Sequence, residues 1–348
     1  MSWDLHPYFL AKAYAWKGMV LPKSFIRELA SSKSLSEFVD ALKATPYSQE
    51  MQALTQPINA LKVEHALRRR LVKTHYRLMN GYKKNRVLVA LFSRHVARDF
   101  KTILRGLHAG IRGEDLARLV DPYAEELLGI RDVIARLLAA ENVKEALGVL
   151  STFAGDDSVP LIFAEATEPL ALELEIDRWV LLRLREGLKK TPRRWRPSLS
   201  HLIEPLYLGF ILTSILRAKI WGLQERKIQQ LVEGFIDPSI MPIISTTIEA
   251  KDVEEVKRAL SVLPKGSLPT ISETGTLTGL VNALQTGYHA MLLLRASRSF
   301  LRPYDEPSLS VAVVLLLEEE VSRLVGLAAG IEQGLTPTEL LDSLSLLA

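Results

Sequence analysis

One phrase recurs at a fixed period. It reads GIRGEDLARLV at 110–120, GLQERKIQQLV at 222–232 and GLTPTELLDSL at 334–344. Its aliphatic anchors fall at Ile111, Leu223 and Leu335, two steps of 112 residues. A fainter copy, VLPKSFIRELA at 20–30, is anchored on Leu21. An apolar helical stretch precedes each glycine, with a basic residue near its end: Arg105, Arg217 and, further back, Arg323. A glycine so placed predicts a helix stopped by a left-handed residue. A second helix then starts within a few residues. Thr336 and Glu339 have capping-box spacing, and Pro337 suits the first helical position. Such a period restricts the chain to alike units packed on one another.

The 348 residues accommodate three units of this length, and 48% hydrophobic residues are enough for packed cores. The chain has no cysteine, which excludes disulfides, thiolate metal sites and a cysteine nucleophile. A net charge of +4 is too small to imply nucleic acid by itself. The N-terminus lacks the basic-then-apolar layout of a signal peptide. Pro205 to Leu216 is uncharged but too short for a membrane span, and reads as a buried helix. A peripheral subunit is the expected form of any membrane association.

Helical periodicity covers most of the chain. Residues 8–30 read as a helix, a turn at Leu21-Pro22 and a second helix. Further helices are expected at 34–45, 58–80 and 86–105. The last of these has one face with Arg94, Arg98, Lys101 and Arg105, a basic stripe of about three turns. The second unit has a helical stretch at 123–150, a helix at 172–188, a linker at 189–197 and an apolar helix at 201–217. In the third unit, DVEEVKRALSVL echoes ENVKEALGVL at an offset of 113, and long helices follow at 276–299 and 308–329. The expected units are 1–104, 105–216 and 217–348. The C-terminal fragment can complete the short first unit and so close a ring. Ser158–Phe163 is the most strand-like run, and its proline demotes it. The fold class is all-α.

No catalytic constellation emerges. The seven histidines are scattered, none paired at helical spacing with another, and no metal-ligand pattern is present. Phosphate-loop and nucleophile-elbow motifs are missing. Gly275 and Gly279 read as small residues for close helix packing. Paired carboxylates at Glu125-Glu126 and Asp156-Asp157 read as solvated faces. Glu318, Glu319 and Glu320 lie inside an apolar helix, where each charge needs a partner. The clusters Arg68-Arg69-Arg70, Lys83-Lys84-Asn85-Arg86 and Lys189 to Arg196 suit solvated helix ends, an acidic protein, anionic headgroups or nucleic acid. The reading is a scaffold without catalytic residues, metal or cofactor.

The runs FKTILRGLHAGIRGEDLARLV, SILRAKIWGLQERKIQQLV and LLLEEEVSRLVGLAAGIEQGLTPTELL resemble the C-subunit family of archaeal A-type and V-type rotary ATPases. The resemblance extends to LPKSFIRELASSKSLSEFVDALKATPY near the N-terminus. It implies three similar helical domains around a pseudo-three-fold axis, funnel-shaped. It also implies a non-catalytic central-stalk subunit on the cytoplasmic side of the cell membrane, held peripherally. Its partners would be the membrane rotor ring and the central shaft, with no nucleic acid. The family's acidic-x-x-Asn pattern is altered: Asp99 with Thr102, Ile211 with Ser214, Glu320 with Arg323. Arg94, Arg98, Lys101 and Arg105 are the expected contact with an acidic partner. The alternative is a helical-repeat adaptor with an unrelated partner.

Overall fold

In the computed structural model the described residues are 6–81, 85–153, 169–232, 239–270, 274–301 and 306–343. Their regular structure is all helix, with no strand among them. The first run is α1 (His6–Lys17), α2 (Lys23–Leu29), α3 (Leu35–Leu42), α4 (Ser48–Gln52), α5 (Ala60–Gly81) and α6 (Arg86–His108). Then come α7 (Gly113–Arg118), α8 (Tyr123–Leu128), α9 (Arg131–Leu138), α10 (Val143–Ser151), α11 (Pro169–Lys190) and α12 (Arg196–Ile220). The last are α13 (Glu225–Val232), α14 (Met241–Glu249), α15 (Val253–Ser261), α16 (Leu277–Ser299), α17 (Glu306–Glu332) and α18 (Pro337–Ser343). The class read from the sequence is the class observed.

The repeated phrase is a repeated helix stop. Gly110, Gly222 and Gly334 have φ of 78°, 67° and 75°. The next residue turns its N–H back into the preceding helix each time: Ile111 to Gly106 O (2.8 Å), Leu223 to Ala218 O (2.9 Å) and Leu335 to Gly330 O (3.0 Å). This six-to-one bond over a left-handed residue is the Schellman cap. The short helices α7, α13 and α18 then fold back against the long helices. Leu116 and Leu340 press on Gly106 and Gly330, where a Cβ would collide with them. The equivalent places in the second copy hold Ala218 and Ile228, both buried.

A second repeated signal is the capping box of α3, α10 and α15. Ser34, Asn142 and Asp252 accept from the N–H of Glu37, Glu145 and Glu255, and each glutamate accepts an N–H just before its cap. The caps of α10 and α15 are 110 residues apart, which corrects the offset of 113 read from side-chain spacing. In the corrected register Phe38, Ala146 and Val256 are fully buried together with Leu42, Leu150 and Leu260. Burying each of the larger side chains contributes about 1.5–3 kcal/mol.

Six long helices, α5, α6, α11, α12, α16 and α17, pack in a closed cycle in which α17 returns to α5. Side-chain pairs fix their directions. Lys101 meets Asp177 (2.5 Å) and Arg105 meets Glu173, so α6 and α11 are antiparallel. Arg295 meets Glu204 (2.6 Å) and Tyr288 lies against Gly209, so α12 and α16 are antiparallel. Ala60 N–H donates to Glu332 (2.9 Å) and Leu71 lies near Val321, so α17 runs back along α5. The remaining neighbours, α5–α6, α11–α12 and α16–α17, are joined by short connections. All three connections therefore lie at one end of the cycle. The capped ends of α6, α12 and α17 lie at the other.

Several expectations change. The stretch 123–150 is three helices, parted by the left-handed Gly129 and the cap at Asn142. The linker 189–197 shrinks, because α11 runs to Lys190 and a 3₁₀ turn, Arg193–Trp195, leads into α12. Gly279 receives the Thr276 cap and a Cβ at Gly275 would meet open space; close helix packing falls to Gly187, facing Arg86 O, and to Gly209. Residues 193–220 are long and apolar enough to cross a membrane, but 61% of that apolar window is buried and α12 packs against α11, α16 and α17. The expected strand-like run and Asp156-Asp157 lie outside the described residues.

Candidate functional site

The ring encloses a cavity of about 1080 Å³, and all six long helices contribute to its wall. Positions in step with the repeat line it together. Arg94, Leu206 and Glu318 form one level and Arg98, Phe210 and Ser322 another, each at steps of 112 residues. The same backbone place thus carries a cation on α6, an apolar group on α12 and a carboxylate or hydroxyl on α17.

The whole basic stripe of α6 faces this space. Its members also have partners within the chain. Arg94 donates to Glu318 (2.5 Å), Lys101 to Asp177 (2.5 Å) and Arg105 to both oxygens of Glu173, while Arg98 lies 3.5 Å from Asp99. The stripe therefore staples α6 to α11 and α17 while lining the cavity. Arg68, Arg217 and Arg323 bring the lining to seven permanent cations against three carboxylates, Asp177, Glu318 and Glu319. Arg217 makes no salt bridge among the described residues, although with Arg105 and Lys101 its charge helps hold the Glu173 carboxyl below the usual range. Its equivalence to Arg105, one period earlier, is the signal in the sequence that could have found it.

The three glutamates of α17 do have partners. Glu318 holds Arg94; burial still pushes its carboxyl up, with Arg94 and Arg98 acting against that. Glu319 lies between Arg323 (2.6 Å) and His289 (2.5 Å). Burial would raise it, yet His289 and Arg323 together hold it below the usual range. Glu320 turns away from the cavity and accepts from Tyr47 Oη (2.5 Å) and from Leu21 N–H. The capped glycines also show that Asp99 and Glu320 are not equivalent, because one period step from Ile211 reaches Arg323.

Two buried titratable pairs lie behind the wall. His75 Nδ1 is 3.0 Å from His95 Nε2, and His75 Nε2 is 2.9 Å from Leu88 O. A carbonyl only accepts, so His75 carries its proton on Nε2 and accepts from His95 Nε2–H. Burial lowers His75 to about 4 and His95 well below its ordinary value. Asp99 and Glu125 form the second pair. Burial raises Asp99 to about 6, and burial with Asp99 nearby raises Glu125 to about 8. Sequence spacing gives no sign of either pair, and Glu125 is fully buried where a solvated face was expected.

The basic clusters separate. Arg68 reaches Glu64, Arg69 reaches Asp121 through two bonds (2.5 and 2.8 Å), and Arg70 lies over the Tyr47 ring. Lys189 to Arg196 lie at the connection end; Lys83 and Lys84 fall outside the described residues. Among the described residues, no group of three or more His, Asp or Glu side chains is placed to hold a metal.

The chain matches the family model described as ATP synthase (C/AC39) subunit over residues 10–342. It is 24% identical, over 353 residues, to the C subunit of the A-type ATP synthase of Pyrococcus abyssi. That match takes in 99% of this chain and 92% of the relative.

Proposed function

The chain belongs to the ATP synthase (C/AC39) subunit family, and from that premise we propose that it couples the membrane rotor ring to the rotating shaft of an A/V-type ATPase. In this role it performs no chemistry. It is a socket in the central stalk, held peripherally on the cytoplasmic side of the membrane through its partners. Its three units, 1–104, 105–216 and 217–348, stand about a pseudo-three-fold axis as a funnel. The first is completed by the C-terminal helices.

The observation that carries this reading is the cavity walled by all six long helices. Its wall is basic along α6 and apolar where α12 supplies Leu206 and Phe210. A shaft end with carboxylates on one side and aliphatic groups on another fits in one orientation. Ion pairs at fixed places resist slipping, and close-packed helices transmit the load with little compression. The stripe Arg94, Arg98, Lys101 and Arg105 is the proposed contact with that acidic end. An open adaptor superhelix suits the fold poorly, because α17 packs on α1, α2, α3 and α5.

The test is recovery of the tagged protein from native membranes, with and without detergent. Rotor-ring and shaft subunits are expected in the same fraction. Recovery without either one overturns the coupling role.

A further inference from the structure

We infer that the connection end of the ring is a footing for anionic lipid headgroups. The alternation of helix directions brings the three long-helix connections to one end. The described stretches there are 76–81, 85–92, 184–200, 293–301 and 306–312. Together they hold ten Lys and Arg residues and two acidic ones, Glu186 and Glu306. Arg196 is occupied by Thr191 O and Lys189 O, and Arg295 by Glu204. Arg86, Arg193, Arg194 and Arg298 remain exposed, spread over all three connections. The opposite end is mixed in sign: α7, α13 and α18 open with Glu114, Asp115, Glu225 and Glu339, beside exposed Arg112, Arg118 and Arg226.

A second feature of the same end favours lipid. Leu301, just past α16, is 79% exposed, the most exposed large hydrophobic side chain among the described residues. Trp195 lies at the neighbouring connection with the Arg194 guanidinium 4.7 Å from its ring centre. Cations around an exposed leucine and an indole suit a charged interface with an apolar layer beneath. An acidic protein surface matches the cations and leaves Leu301 without a function. The inference rests on this charge and apolar distribution and does not require the coupling role.

The full chain is mixed with vesicles of phosphatidylcholine alone and with vesicles rich in phosphatidylglycerol, then floated. Binding is expected only to the anionic vesicles, and is expected to fall steeply with salt. Reversing Arg193, Arg194 and Arg298 to Glu is expected to weaken it roughly a hundredfold or more, at about 1 kcal/mol for each cation lost. Leu301→Asp should weaken it further. Unchanged helicity by circular dichroism keeps the comparison valid, and Arg112→Glu and Arg118→Glu at the far end should leave binding unchanged. Equal binding by the connection-end and far-end variants overturns the footing, as does absence of binding to anionic vesicles. If vesicles never bind but the reversed variant is lost from the native assembly, the cations meet an acidic protein instead. Survival of that assembly with vesicle binding lost leaves the coupling role intact and confirms the footing.

Discussion

Tyr47 Oη donates a 2.5 Å hydrogen bond to Glu320 Oε1, joining residues 273 positions apart. Both groups are buried, and the other carboxylate oxygen accepts Leu21 N–H. Leu21 anchors the faint fourth copy of the phrase. Where Ile111, Leu223 and Leu335 bond back into their own helices, Leu21 bonds across to α17, so the clasp fastens the two ends of the chain. Tyr47→Phe should cost about 1.5–3 kcal/mol by leaving a buried carboxylate oxygen unpaired. Burial raises Glu320, and its bonds to Tyr47 and Leu21 pull it down, so the variant's carboxyl rises further. Its deficit should therefore shrink as pH falls and Glu320 takes a proton. Denaturant midpoints at neutral and acid pH measure this; equal deficits at both would contradict it.

The three caps give a prediction that repeats. Alanine at Gly110, Gly222 or Gly334 forces a side chain into the left-handed region, where nothing else obstructs it. Each should cost about 1–2 kcal/mol. Gly106→Ala has a different cause, collision with Leu116, and should cost roughly 1–3 kcal/mol. Adding Leu116→Ile copies the native Ala218 and Ile228 pair and should recover most of that loss. Thermal or denaturant unfolding decides; an additive double variant would show the two copies pack differently.

These glycines also mark what is legible in the sequence. A left-handed cap is a local event with a residue-type signature, and it repeats at a constant interval. The six long helices are equally legible, within a few residues at each end, because each has a buried face several turns long. The short helices are less so: α14, rich in Ile and Thr, has strong helix formers only at its ends, Met241 and Glu249, and its packing holds it helical. The register between α10 and α15 slips by three residues when read from apolar spacing alone, because that spacing tolerates a shift that the caps forbid. The stripe on α6 is legible as a stripe. Its cavity and its partners Glu173, Asp177 and Glu318 lie on other helices, and no local rule relates them. The same holds for His75 with His95 and for Asp99 with Glu125.

Those buried pairs set opposite pH dependences. His75 has a folded value of about 4 against an ordinary 6.5. Its contribution is complete above 6.5 and is lost as pH falls toward 4, on the order of 3 kcal/mol in all. Asp99 and Glu125 are raised to about 6 and about 8. Their contribution is complete below the unfolded carboxylate values and is lost as pH rises through the folded ones. Glu125→Gln should therefore stabilise the protein at pH 8 and change little near pH 4. Denaturation across this range, wild type beside variant, measures it; a parallel pair of curves would remove Glu125 from the account.

Lys101 and Asp177 separate a structural from a partner role for the stripe. Lys101→Asp alone opposes two carboxylates across α6 and α11, and should weaken both stability and assembly. Adding Asp177→Lys restores the pair with its signs exchanged and keeps the net charge. If the stripe only staples helices, the exchange should return stability and assembly together. If it also meets an acidic shaft end, stability should return and assembly should stay weak, with a deficit relative to wild type that shrinks as salt screens the charges. Arg217 gives the complementary case, since it lines the cavity and makes no salt bridge among the described residues. Arg217→Ala should leave the unfolding midpoint within about 0.5 kcal/mol of wild type yet lower recovery of the shaft subunits. Full recovery with both the exchange and Arg217→Ala would confine these cations to holding the ring together.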